Sequence, residues 1–433
     1  MNVINPLKRF SFFGSTFGGK RNMSEALGYI NSPTSEEYIR RYERQDIAQR
    51  IVNAYPNAVW NHPPSVETDT DTQGESEFEK KFIELSQKLK LFNIINRADK
   101  LSGLGRYSVI YVGLNDINAK SGVTAETEAG KFSDINDILF MVPFSEANAS
   151  VTEYVNDTSD PRYGLPKIYT LTTGGYGGDT GSSVNTSTMR VHHSRIIHIA
   201  EGTLENETFG TPRLQPILNR LDDLEKVVGG SSEIYWLNGR GGLHLNADKD
   251  TEIANPEKLS EHIDTYAHEL TRVIKTKGIS LNPIEQNIHD PSNHVSVILD
   301  LISGATGIPK RILTGSERGE LASSQDENNW QARVDERRNN YCEPLILRPI
   351  IDYFINIGIL KSTSYKIVWP ELFTLSQKDK AEIALKTAQA ISTYMSNPES
   401  EMVMPIKQFV EDVLGQEYRE DDIAREFTKD ETE

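Results

Sequence analysis

The stretch SNHVSVILDLISGATGIPKRILTGSERGELASSQ, residues 292–325, decides how the whole chain is read. Over residues 292–303, Val295, Ile298, Leu299 and Ile302 recur at i, i+3, i+4 and i+7, the period of one α-helical face. Val297 and Leu301 place apolar groups on the other side, so this helix is apolar most of the way round and needs cover on several sides. Asp290-Pro291 supplies an N-cap and first-turn pair, while Gly304, Gly307 and Pro309 end the segment. A loop is expected over residues 310–321, with Lys310, Arg311, Glu317, Arg318 and Glu320 around Gly315 and Gly319. From Ala322 the helical period resumes through Trp330, Val334, Tyr341 and Leu345, and Pro344 and Pro349 predict a kink.

Working outward, 433 residues predict two or three domains rather than one core. No apolar run reaches membrane-spanning length. A net charge of −17 argues against a broad nucleic-acid-binding surface, though not against a surface that lets nucleic acid slide past. Cys342 is the only cysteine; no intrachain disulfide can form, and its place inside a helix beside Pro344 reads as a small buried filler. Lys8, Arg9, Lys20 and Arg21 make residues 1–34 a basic flexible arm rather than a signal peptide.

Upstream, Thr34 with Glu37 suggests a capping box for a helix over residues 35–55, and residues 63–76 read as an exposed acidic loop. Phe78, Phe82, Leu85, Leu89 and Phe92 predict one helix running to Leu101. Strands are expected at 108–114, 138–143, 150–155, 167–172 and 189–199, with a flexible Gly-rich connection at 174–183. Helices followed by antiparallel strands give an α+β domain. Thr211-Pro212 opens a further helix with a bend expected at Gly229-Gly230, followed by a small strand–helix–strand unit at 242–245, 256–275 and 278–284. Residues 365–369 form a short strand, and 377–395 and 405–414 form helices. From residue 376 to the end, 14 acids face 7 bases, and residues 421–433 read as a solvated tail.

Catalytic chemistry finds little support. The Gly-rich stretch lacks the following Lys-Ser/Thr and helix that a phosphate loop requires. His192-His193-Ser194 and His294-Val295-Ser296 share the H-x-S spacing of two-histidine phosphoesterases, but that chemistry needs both motifs on adjacent strands, and the second opens a helix. Adjacent histidines on a strand face opposite ways, and no Cys or carboxylate set completes a metal site around His192, His193 and His198. Neither a catalytic residue nor a cofactor is assigned.

Residues 106–113 (RYSVIYVG), 191–201 (VHHSRIIHIAE), 210–214 with 221–238, and 300–325 (DLISGATGIPKRILTGSERGELASSQ) together resemble the portal proteins of tailed bacteriophages. Gly307-Ile308-Pro309 followed by Leu313-Thr314-Gly315 and Gly319 carries the resemblance most specifically. The likeness implies an α+β wing at 35–210, stem helices at 211–237 and 292–309 flanking a small α/β clip at 238–291, and a tunnel loop at 310–321. It further implies a long kinked helix with its return to the wing at 322–375, and a C-terminal helical crown at 376–433, small because the chain is short for the family.

The resemblance implies a homo-oligomeric ring, typically of twelve subunits, at one capsid vertex of the virion, assembled in the host cytoplasm. Double-stranded DNA would pass through it; the large terminase subunit, the major capsid and scaffolding proteins and a head-completion adaptor would be its partners, with no membrane involved. Lys310, Arg311, Glu317, Arg318 and Glu320 would then line the channel, and Val295, Ile298, Leu299, Leu301, Ile302 and Trp330 would pack between subunits. The rival expectations are a cyclic-nucleotide phosphoesterase of anti-defence type and an oligomeric scaffold through which no DNA passes.

Overall fold

The structure, a computed structural model, describes residues 11–12, 15–16, 22–68, 76–117, 122–173, 187–239, 242–247, 279–284, 290–315, 320–372, 377–396 and 404–413. The chain forms two compact units, residues 1–370 and 371–433. The expectations for the basic arm's charges, the Gly-rich connection, the helix at 256–275 and the acidic tail lie outside the described residues.

Helices α1 (Ser35–Arg44) and α2 (Asp46–Trp60) replace the single helix expected from residue 35. The Thr34 side chain accepts from the Glu37 N–H at 3.4 Å, as a cap should, but the backbone turns extended at Gln45. Residues 63–76 also depart from expectation. Strand β1 (Ser65–Thr68) pairs antiparallel with a strand at Tyr365–Val368 and buries Val66. One apolar residue in an otherwise polar stretch suffices when the partner strand supplies the rest.

The long helix expected over 78–101 is likewise two, α3 (Glu77–Leu89) and α4 (Leu91–Leu104). Ser76 and Glu79 form a reciprocal capping box at the start of α3. At Lys90 the backbone turns left-handed, φ 52°, and its N–H closes on the last carbonyls of α3.

Two three-stranded antiparallel sheets form the β part. The first has the order β3 (Ile138–Ser145), β2 (Ser108–Leu114), β7 (Ile196–Ile199); the second has β4 (Ala149–Tyr154), β5 (Pro166–Thr173), β6 (Ser187–His192). All seven residues of β2 are buried. Val109 and Tyr111 join the cluster with Tyr169, Leu171 and Val191 of the second sheet, while the alternate residues fall on the opposite face. Ser108 donates to the Ala98 carbonyl at 2.8 Å, tying β2 to α4.

The single strand expected at 189–199 is two strands in different sheets, separated by a tight turn at His193–Arg195. The cause is Arg195. Its fully buried guanidinium grips Asp116 through two bonds of 2.7 and 2.8 Å and donates to the Thr127 carbonyl at 3.0 Å.

Helix α5 (Leu218–Gly239) starts after a short 3₁₀ turn, Gln215–Ile217, later than Thr211-Pro212 suggested, and runs through Gly229-Gly230 without interruption. At 22 residues it is roughly 33 Å long. Strands β8 (Gly242–Ala247) and β9 (Ile279–Ile284) pair antiparallel. Helix α6 (Ser292–Thr306) then packs back along α5.

The expected loop at 310–321 is interrupted by structure: Lys310–Thr314 forms a short helix, α7, and helix α8 (Glu320–Arg337) begins within the predicted loop. The kink predicted from the prolines is a π-helical stretch, Arg338–Leu347, enclosing Pro344; α9 (Arg348–Asn356) follows, with Pro349 in its first turn. Strand β10 (Tyr365–Val368) closes against β1. In the second unit, Gln377–Met395 is helical, and the Tyr394 ring stacks on Phe409 with centroids 4.5 Å apart. The whole is an α+β architecture of open sheets and long helices.

Candidate functional site

Three helices, α6, α7 and α8, meet around Gly307. Gly307 ends α6 with φ +69°, a conformation that suits glycine, and its N–H donates to the Ser303 carbonyl at 2.9 Å. A Cβ there would lie 2.9 Å from Arg333 Nη1 and 3.2 Å from Tyr55 Oη, so glycine is required for space as well as for backbone geometry. Tyr55 Oη also donates to the Thr306 carbonyl at 3.3 Å, and its ring lies 4.7 Å from that of Trp330. The turn from α6 to α7 is thus pinned from α2 and α8 together.

Lys310 and Arg311 sit on α7. Lys310 Nζ pairs with Asp300 at 2.8 Å and donates to Ser296 Oγ at 2.7 Å, bending back onto α6. Arg311 Nε lies 3.3 Å from Asp326 of α8. Ser303, Gly304, Gly307, Lys310, Arg311, Asp326 and Arg333 are among the residues lining an open polar recess of about 510 Å³ here. Glu317 and Arg318 lie outside the described residues, and Glu320 is the first residue of α8.

Of the six residues expected between subunits, Ile298, Leu299, Ile302 and Trp330 are buried within the single chain. The chain's own fold covers them, because α5 and α2 lie against that side. Val295 is half-buried, and Leu301 is 51% exposed. Val297, on the other apolar side, is 59% exposed. One apolar face of α6 is therefore satisfied internally and the other is open.

Sequence reasoning missed the polar centre of the first unit. Asp99 of α4 is fully buried and accepts from Trp60 Nε1 at 2.8 Å, from Arg213 Nη2 at 2.6 Å and from Arg337 Nη2 at 2.6 Å. Glu201 accepts from Arg213 Nε at 2.7 Å and also pairs with Arg337. Two carboxylates thus balance two guanidiniums. Burial pushes the Asp99 carboxyl up, but the charges of Arg337 and Arg213 outweigh it and hold the group below the usual carboxylate range.

The backbone is shaped to admit Arg213: a Cβ at Gly103 would come within 2.7 Å of Arg213 Nη1. The four charged residues are spread over residues 99–337, and no local pattern announces them. Only Asp99, a lone acid within the mainly apolar α4, stood out locally.

The histidines do not assemble a phosphoesterase. His192 Nδ1 lies 2.9 Å from Ser194 Oγ and accepts from the Ser194 N–H, capping the turn that leads from one sheet to the other. His294 is exposed on α6, a helix rather than an adjacent strand. Burial lowers His193 to about 3 and His198 to about 4. Cys342 is buried and its thiol is pushed up by burial, away from nucleophilic reactivity. Among the described residues no group of three or more His, Cys, Asp or Glu could hold a metal, and no helix is long and apolar enough to cross a membrane.

Among solved structures, the chain is similar to a chain from the virion of a native gene transfer agent particle (13% identity, 86% of this chain and 93% of that chain covered, TM-score 0.50). It is similar also to one from the neck of an empty gene transfer agent particle (12% identity, 86% and 94% covered, TM-score 0.50). A weaker likeness is to an HK97 family phage portal protein from Corynebacterium diphtheriae (9% identity, 78% and 95% covered, TM-score 0.40). No curated protein matches. The family model described as phage portal protein matches residues 36–393, which is most of the sequence, and the chain belongs to the phage portal protein family.

Proposed function

We propose that this chain is the subunit of a portal ring, typically of twelve copies, that forms a non-enzymatic conduit for double-stranded DNA at one vertex of a virion capsid. In this reading α5 and α6 are the stem, residues 238–291 the clip on which the large terminase subunit and later a head-completion adaptor dock, and the segment after Gly307 borders the channel. Assembly would take place in the host cytoplasm, nucleating the major capsid and scaffolding proteins. Hydrolysis of ATP belongs to the docked motor.

The observation that carries the reading is helix α6: Ile298, Leu299 and Ile302 are buried by the chain itself, while Val297 and Leu301 are left in water immediately before a cation-bearing turn. Large apolar side chains aligned on an open helix face mark an interaction surface. A net charge of −17 with a few bases near the turn suits a passage that repels phosphate overall and touches it locally.

Native mass measurement of the purified chain tests the ring. About twelve copies are expected from the likeness to portal proteins, in a closed ring, and a stable monomer would overturn the proposal. Replacing Lys310, Arg311 and Arg318 together by Ala is expected to alter DNA packaging or retention while rings still form.

A further inference from the structure

A groove of about 930 Å³ runs beside the stem, with Val228 and Gly229 of α5 and Val295 and Leu299 of α6 on its walls and Arg40 and Arg44 of α1 on its rim. Two residues beyond Val295 and Leu299, about 200° round the same helix, stand the exposed Val297 and Leu301. Gly304, seven residues after Val297, continues that outer stripe. One helix therefore offers a receiving side and a protruding side of different shape.

The glycines add an independent observation. Gly229 and Gly304 lie inside helices, where glycine weakens the helix relative to alanine. Yet a Cβ built at either position meets nothing within 4 Å. Packing among the described residues gives no reason for them. One lies on the groove wall and the other on the protruding stripe.

One charge pairing fits the same sense, although the acids Glu37, Asp46 and Glu225 line the groove beside Arg40, Arg41 and Arg44. Asp300 shares the protruding side; its side chain is 60% exposed, and Lys310 engages one carboxylate oxygen. Arg44 on the groove rim is exposed and forms no ion pair among the described residues, and Arg40, 63% exposed, reaches only Glu37.

We propose that the Val297–Leu301–Gly304 stripe of one copy seats in the groove of the next. Gly304 and Gly229 let the two backbones approach closely, and Asp300 faces the Arg40–Arg44 rim. Since the stripe and the groove are different surfaces, the contact is heterologous and repeats around a ring instead of closing as a two-fold pair. The inference rests on the ring reading and adds which surfaces make the ring.

The test uses the full-length protein carrying Gly229→Cys together with Val297→Cys, with buried Cys342 left in place. Mild oxidation is expected to give a ladder of covalent multimers on a non-reducing gel. Gly229→Cys paired with Leu139→Cys, at an exposed position on β3, is expected to give none. In a second arm, Gly304→Leu is expected to keep the melting temperature of the dissociated chain and to weaken ring assembly at least tenfold. If wild-type rings form but the ladder is absent and Gly304→Leu rings are intact, the seating is overturned while the portal reading stands. If Gly304→Leu rings are intact and only DNA retention suffers, the stripe faces the channel and the seating is likewise overturned. A wild-type chain that stays monomeric would overturn both.

Discussion

Arg337, on the last turn of α8, meets Asp99 of α4 at 2.6 Å although 238 residues separate them. The pair joins α8 to α4 at the residue before the π-helical stretch begins. Arg213 brings the segment that leads into α5 into the same cluster. Asp99→Ala would leave two buried guanidiniums short of a partner, and removing one member of a buried pair is worth about 3–5 kcal/mol. Asp99→Asn keeps the shape and should lose less. Urea unfolding of the dissociated chain checks both; a loss under about 1 kcal/mol for Asp99→Ala would show that the cluster is not a structural centre.

That cluster also marks the boundary of what the sequence made legible. The apolar periods of α6 and α8 and the β-branched run of β2 are local signals, and they placed those two helices and the central strand. Asp99, Arg213 and Arg337 each look like ordinary surface charges until folding brings them together, because their partners are not local. The break at Lys90 was hidden for a different reason: the apolar residues of α3 and α4 keep the same spacing across it, and the left-handed residue is not a glycine. The groove beside α5 was illegible too, since its walls come from four helices, α1 and α2 lying far from α5 and α6 in sequence.

Lys90 offers a direct check on that break. A non-glycine residue in the left-handed region costs roughly 1 kcal/mol, so Lys90→Gly should stabilise the first unit by up to about 1 kcal/mol even though it removes a side chain. Thermal melts of the dissociated chain read this out; destabilisation would mean that the Lys90 side chain holds the corner.

His198 predicts a pH dependence. Its Nε2 donates to the Thr208 carbonyl at 2.8 Å, which leaves Nδ1 to accept from Tyr169 Oη at 3.1 Å, so the neutral ring is the form that fits. Burial lowers its pKa from the ordinary value of 6.5 to about 4. The unfolded chain then binds the proton more readily, so the contribution is fully present above pH 6.5 and falls away as pH drops toward 4. Between pH 7 and 5 the loss should be at most about 2 kcal/mol. Denaturant melts at the two pH values, with His198→Gln as comparison, test it: the variant should show a shallower loss, and an equal slope in both proteins would remove His198 as its source.

Lys310 is expected to act differently from Arg311. Its ammonium is already committed to Asp300 and to Ser296 on α6, so Lys310→Ala should loosen α7 from α6 by about 1 kcal/mol. Arg311 is held by Asp326 of α8 instead, so under the proposed function each single substitution should lower packaging less than the triple one. Single-substitution packaging efficiencies decide this, and a defect confined to Lys310→Ala would reverse the assignment.

The two glycines that bracket the end of α6 should behave oppositely in the isolated chain. Gly307 needs both its left-handed backbone and its missing side chain, because a Cβ would press on Arg333 and Tyr55. Gly307→Ala is therefore expected to destabilise by about 1–2 kcal/mol. Gly304→Ala, three residues earlier in open helix, should stabilise the dissociated chain by up to about 1 kcal/mol. Measuring both under dissociating conditions separates backbone strain from intersubunit effects: Gly307 serves the geometry of the turn, while the reason for Gly304 lies outside the single chain. If Gly304→Ala destabilised the isolated chain as Gly307→Ala does, the glycine would be explained internally and its place in a subunit contact would lose its support.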